Sequence, residues 1–124
     1  MIVNIDGIPI EFFFTPASCA DVVAFRFFAL ELPKGSAIYS DKAYNDYRVE
    51  DSLRDHLDIT MVPKRKKNSL RKNSPDKEFQ LSLYRNRVET TFSRISNLLP
   101  RYIRASTEKG FCLKVFFFIL AYTY

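Results

Sequence analysis

Apolar positions change period several times along the 124 residues, and each change marks an element. Residues 1–5 read as a strand, Asp6-Gly7 is a hairpin turn signal, and residues 8–15 supply a second strand. Pro9 suits a strand start or an edge, and Phe12-Phe13-Phe14 puts aromatic rings on both faces of a strand covered on two sides. Thr15-Pro16-Ala17-Ser18 breaks this strand pair, residues 1–15. Val22, Phe25, Phe28, Ala29 and Leu32 then recur at helical spacing, which predicts a helix over 18–32, capped by Ser18 or Asp21 and stopped by Pro33 and Gly35. A short strand over 37–40 ends on Asp41. Residues 44–55 read as a polar helix lying on the surface, and 57–62 as a strand closed by Pro63. After the polar loop 64–75, Leu81, Val88, Phe92, Ile95 and Leu99 form the stripe of a long helix over 76–99, ended by Pro100. The apolar run over 110–124 completes the chain as a core helix. The pattern is that of a single α/β domain, a mixed sheet flanked by helices.

Composition narrows the picture. Hydrophobic residues make up 47% of the chain and twelve are Phe, so a packed core is expected rather than disorder. Cys19 and Cys112 allow one disulfide at most, and two buried free thiols in a cytosolic chain are the simpler expectation. No basic segment precedes an apolar run at the start, so no signal peptide is expected. The final apolar run contains Lys114 and falls short of the ~20 residues a membrane span takes, so no membrane partner is expected. His56 is the only histidine, which excludes HExxH and Cys₂His₂ zinc sites and histidine-based nucleophile relays. It is expected at a helix end without catalytic work. The glycines are Gly7, Gly35 and Gly110, too scattered for a phosphate-cradling loop.

The charge points to an acidic polymer. The net charge is +5, and seven Lys or Arg residues lie between Lys64 and Lys77. Lys64, Arg65, Lys66, Lys67, Arg71 and Lys72 sit in a stretch composed like a flexible segment that neutralises phosphates; a solvated linker has the same composition. Two carboxylates stand out beside it. Asp41 marks the C-terminal end of a strand, where open α/β sheets collect functional side chains, and Glu89 flanks the apolar stripe of the long helix. Brought together by folding, they would suit a hard cation such as Mg²⁺. Arg85 lies one helical turn from Glu89, so an ordinary surface ion pair is the competing expectation.

These residues also carry a resemblance. Asp41-Lys42-Ala43-Tyr44 resembles the D-K-G-Y second-aspartate motif of bacterial insertion-sequence transposases of the DDE type. Arg85-Asn86-Arg87-Val88-Glu89, continuing Thr-Thr-Phe-Ser, is similar to their third-carboxylate motif. The run from Asp6-Gly7-Ile8-Pro9-Ile10 to Thr15-Pro16-Ala17-Ser18 and Asp21 resembles the segment between the first and second carboxylates. The resemblance implies a ribonuclease-H-like fold and cytoplasmic, DNA-associated work on transposon ends. Two divalent ions, Mg²⁺ or Mn²⁺, would activate the attacking oxygen and stabilise the leaving one during phosphodiester cleavage and strand transfer. By similarity Asp41 is the second ligand and Glu89 the third, with Arg85 its helix-motif partner and nearby basic residues facing DNA.

The departures shape the expectation as much as the matches. The family's first aspartate is expected on a strand preceding residues 1–5, and neither Asp6 in its turn nor Asp21 at its helix start replaces it. Ser82 and Ser96 occupy the spacings where some related transposases carry tyrosine and lysine, and Ala43 replaces the usual glycine. The expected molecule is an incomplete ribonuclease-H-like domain: the C-terminal part of a catalytic domain, from a decayed or frame-disrupted element, with little or no transposition by itself. Two other readings remain. One is a non-catalytic module that binds DNA, full-length transposase or a second copy of itself, and so modulates transposition. The other is an unrelated small α/β protein whose Asp41 and Glu89 are plain surface charges.

Overall fold

A computed structural model describes residues 1–124. The chain divides into two compact units, one formed by Met1–Phe14 with Asn86–Tyr124, the other by Thr15–Arg85.

In the first unit, β1 (Ile2–Val3) and β2 (Pro9–Glu11) form an antiparallel pair in which Ile2 faces Glu11 and Val3 faces Pro9. The connecting turn is held by Asn4. Its Oδ1 accepts the Asp6 and Ile8 amides at 3.0 and 2.9 Å, and its carbonyl accepts the Gly7 amide at 3.0 Å. Gly7 sits at φ 81°, the left-handed position that hairpin loops of this length assign to glycine. The helices α4 (Asn86–Leu98) and α5 (Glu108–Thr123) complete the unit, and α4 packs on both β1 and α5. Buried Ile95 and Ile119 and the Phe12–Phe116 ring pair, 5.3 Å between centroids, form its core. Thr107 caps α5 by accepting the Gly110 amide at 3.0 Å. At 16 residues α5 is the longest helix, and no helix is long and apolar enough to cross a membrane.

The second unit is built on one parallel strand pair. The strands β3 (Ala37–Ser40) and β4 (Thr60–Pro63) align Ala37 with Thr60 through Ser40 with Pro63, and α2 (Tyr47–Leu57) crosses between them. Ile38, Met61 and Val62 are buried, as the strands of a covered parallel pair should be. The helix α2 starts on Asp46, whose carboxylate accepts the Arg48 amide at 3.0 Å. It ends on Asp58 in the left-handed conformation, φ 53°. The helix α3 (Pro75–Tyr84) is capped by Ser74 and packs on both strands through Leu81, which is 2% exposed.

Several elements differ from the periodicity. The strands form two separate two-stranded sheets, one antiparallel and one parallel, in place of one mixed sheet. The second strand narrows to Pro9–Glu11, and the strand read at 57–62 begins only at Thr60, because Leu57 still belongs to α2. The helix expected over 18–32 is α1 (Asp21–Phe25), with Ala20 at its N-cap; Ser18 and Asp21 do not cap it. It stops because Arg26, Phe27 and Phe28 bond back three residues in tighter turns and Leu30 turns left-handed at φ 53°. The helix read at 44–55 is α2, whose start waits for the Asp46 cap because Lys42–Tyr44 form a 3-10 turn. The long helix expected over 76–99 is divided at Arg85 into α3 and α4, where the boundary between the two units falls. Both cysteines are free thiols, half-buried.

Candidate functional site

Asp41 stands at the C-terminal tip of β3, where the extended backbone, φ −75° and ψ 171°, turns into the 3-10 turn Lys42–Tyr44. Its carboxylate is exposed and makes no capping hydrogen bond. Around it the strand end is ordered. The Tyr39 hydroxyl donates to Gln80 Oε1 at 2.8 Å, and its ring meets Tyr84 at 5.2 Å. Burial, then the neighbouring Tyr84, raises the Tyr39 phenol above its ordinary pKa. Tyr44 is raised too, first by burial and then by the negative charges of Asp21 and Asp41. The Ser40 hydroxyl is buried without a hydrogen-bond partner.

Glu89 lies in the first turn of α4, exposed, where the positive end of the helix dipole favours a carboxylate. It belongs to the first unit, Asp41 and Arg85 to the second. Arg85 is half-buried at the end of α3, and its amide donates to the Leu81 carbonyl at 2.9 Å. Both carboxylates are hard oxygen donors of the kind Mg²⁺ and Mn²⁺ prefer. Yet no group of three or more His, Cys, Asp or Glu side chains is placed to hold a metal ion. The donor type fits a divalent cation; the donor number does not complete a two-metal site.

The cationic stretch is folded, contrary to its flexible composition. Lys64 extends β4 by donating its amide to the Ser40 carbonyl at 2.9 Å, and Asn45 Nδ2 donates to the Lys64 carbonyl at 2.6 Å. Arg65 turns inward: its two terminal nitrogens meet the two Glu50 oxygens at 2.5 and 2.7 Å, and Nη1 also donates to Asn45 Oδ1 at 3.0 Å. The side chains of this pair are only 11% and 9% exposed. Arg71 forks onto Asp51 at 2.8 and 3.1 Å and lies over the Tyr47 ring, 4.5 Å from its centroid. Hydrogen bonding to Arg71, then the charges of Arg71 and Arg54, holds the Asp51 carboxyl below its ordinary pKa.

Tyr47 closes the assembly. Its hydroxyl pairs with Ser69 Oγ at 2.7 Å and accepts the amides of Leu70 and Arg71 at 3.0 and 3.4 Å. Tyr47, Glu50, Asp51 and Arg54 recur at i, i+3, i+4 and i+7, one polar face of α2. The loop engages Tyr47, Glu50 and Asp51 of that face, which the polar pattern alone leaves to solvent, while Arg54 stays exposed. Lys64, Lys66, Lys67 and Lys72 remain exposed and carry no ion pair. Sequence reasoning missed Tyr47, Glu50 and Asp51. The spacing of acids on α2 against arginines just after β4 was the available signal.

In the second unit a strand ends on an aspartate and a crossover helix leads to a folded basic loop; in the first, a glutamate stands at the start of a later helix. The model of the transposase DDE domain matches residues 1–124. This chain belongs to the transposase DDE domain family. Neither the curated proteins nor the solved structures give a match to it. Within this DDE domain, Asp41-Lys42-Ala43-Tyr44 occupies the β3 tip and its 3-10 turn, and Arg85 to Glu89 spans the junction of α3 and α4.

Proposed function

We propose that this DDE domain acts in DNA transposition, with Asp41 as the second and Glu89 as the third carboxylate of a ribonuclease-H-like catalytic centre. The unit β3–α2–β4 then represents the parallel part of that fold, with Asp41 at its functional edge. The observation that carries the reading is the family match over residues 1–124, joined to an exposed, uncapped carboxylate at the strand tip where the motif requires one. Mg²⁺ or Mn²⁺ is the implied cofactor, and Asp41 and Glu89 would be its ligands. Transposon-end DNA is the implied substrate, with Lys64, Lys66, Lys67, Lys72 and Arg85 forming the basic surroundings, while Arg65 and Arg71 are held by Glu50 and Asp51.

No group of three or more His, Cys, Asp or Glu side chains is placed to hold a metal ion, and the 124 residues by themselves are proposed to cleave no DNA. The test incubates the purified chain with supercoiled plasmid and Mg²⁺ or Mn²⁺. Absence of nicking is the expected result, and metal-dependent nicking abolished by Asp41→Ala would overturn it. The folded loop with four unpaired exposed lysines favours a second role. In it the chain binds DNA, or a transposase already on DNA, without chemistry. Affinity for duplex DNA that falls steeply with salt supports that role, and salt-insensitive binding counts against it.

A further inference from the structure

We infer that Glu50, Arg65 and Tyr47 form a clamp that positions the basic loop, and that Lys66 and Asn68 on the clamped loop form a seat for a phosphodiester of the nucleic-acid backbone. The inference rests on the DNA-binding reading and assigns different work to cations that composition treats alike.

Arg65 is spent inside the protein. Its fork lies on the Glu50 carboxylate and Asn45 Oδ1, with the guanidinium 5.5 Å from the Tyr47 ring centroid. A guanidinium so paired has little charge left for a phosphate. Arg71 is likewise engaged on Asp51, at 2.8 and 3.1 Å. What these contacts do is close the loop. Asn45 grips the Lys64 carbonyl, Arg65 anchors the next residue, and Tyr47 holds Ser69, Leu70 and Arg71. The turn between the anchors is fixed by the Ser69 amide donating to the Lys66 carbonyl at 3.0 Å.

An open cleft of about 190 Å³ lies in this turn, lined by Asn45, Tyr47, Lys66, Asn68 and Ser69. The Asn45 amide, the Tyr47 hydroxyl and the Ser69 hydroxyl already have partners. Lys66 and Asn68 are exposed, and their ammonium and carboxamide remain to meet a ligand. A single positive charge beside an amide donor matches one phosphate oxygen pair and reads no base, so the seat fixes register along the backbone without sequence preference.

The clamp can be separated from simple electrostatics because one of its members is acidic. Glu50→Gln raises the net charge, so on charge alone it tightens DNA binding. As a clamp residue it does the opposite. The measurement is anisotropy of a labelled duplex across a fourfold range of salt. Four lysine–phosphate pairs weaken wild-type binding about 150-fold over that range, and each pair fewer divides that span by about 3.5. Glu50→Gln and Tyr47→Phe are expected to weaken binding severalfold at low salt and to flatten the salt dependence. A merely less stable protein keeps the wild-type slope. Lys66→Gln flattens it by the share of one lysine. In the absence of DNA, trypsin cuts the loop faster in both clamp variants. Tyr47→Phe keeps the ring and both ion pairs, so it reports on the clamp even where Glu50→Gln fails to fold. Wild-type slope and affinity in the folded variants would overturn the clamp while leaving DNA binding standing. No salt-dependent binding by the wild type would remove the DNA reading, and this one with it.

Discussion

The hairpin of the first unit depends on a contact that can be tested to the atom. The Thr91 hydroxyl donates to the Gly7 carbonyl at 2.6 Å, both residues are buried, and they lie 84 positions apart. No other protein donor reaches that carbonyl. Thr91→Val keeps the shape and removes the donor, leaving a buried acceptor unsatisfied. The cost of losing the bond and stranding its partner is about 2 kcal/mol, or a fall in Tm of roughly 6–10 °C for a chain of this size. Gly7→Ala attacks the same contact from the other side. An alanine at φ 81° carries about 1–2 kcal/mol of left-handed strain, and its Cβ lies 2.9 Å from Thr91 Oγ1, so the hydroxyl must leave.

Gly7→Ala and Thr91→Ala, which clears the space that a valine methyl would still fill, therefore do not add. Gly7→Ala is expected to cost about 3–4 kcal/mol in the wild type, strain and broken bond together, but only its strain of about 1–2 kcal/mol when Thr91 is already alanine. Thermal and urea unfolding of the four proteins in that cycle gives the coupling directly. Equal costs of Gly7→Ala in both backgrounds would refute the contact as the link between hairpin and helix. A neutral Thr91→Val would refute the reasoning altogether.

Two further outcomes follow from the second unit. Asp46→Ala removes the α2 cap on the Arg48 amide and the 3.3 Å ion pair with Arg26; urea unfolding is expected to show a loss of about 1 kcal/mol, nearly all from the cap. Asp51, depressed by Arg71, contributes stability that is present above the usual carboxylate pKa and is lost as pH falls through its lowered value. The carboxyl resonance of Asp51 should accordingly titrate below the ordinary carboxylate range, and Arg71→Gln should bring it back towards that range.

What sequence reasoning could see was local. Asp6-Gly7 announces its turn because few residues tolerate a left-handed backbone, and Gly7 is at φ 81°. A strand over 37–40 ending on Asp41 follows from four residues and a break. The clamp was hidden because Glu50 and Arg65 are fifteen positions apart with a whole strand between them, and a charge count cannot say which cation is already neutralised. Thr91 was hidden for a related reason: a threonine within an apolar stripe looks like an interruption until its carbonyl partner is placed. The division at Arg85 escaped because the apolar spacing runs on from Leu81 to Val88 across it, so periodicity carries no mark of the break.

The same distinction decides what the basic loop means. Seven cations between Lys64 and Lys77 suggest a disordered sleeve for phosphates. The structure sorts four of the loop's cations from two. Arg65 and Arg71 bring planar forks to Glu50 and Asp51, the use to which arginine is better suited than lysine. Lys64, Lys66, Lys67 and Lys72 stay in water, where a flexible point charge is enough for a phosphate. Exchanging the types would therefore be costly in one direction only. Arg65→Lys forfeits the fork on Glu50, whereas Lys66→Arg leaves the loop as it is. Arg65 is thus spent inside the fold and Arg71 on a surface ion pair, so on the proposed reading it is the lysines that meet nucleic acid, from a loop already held in place.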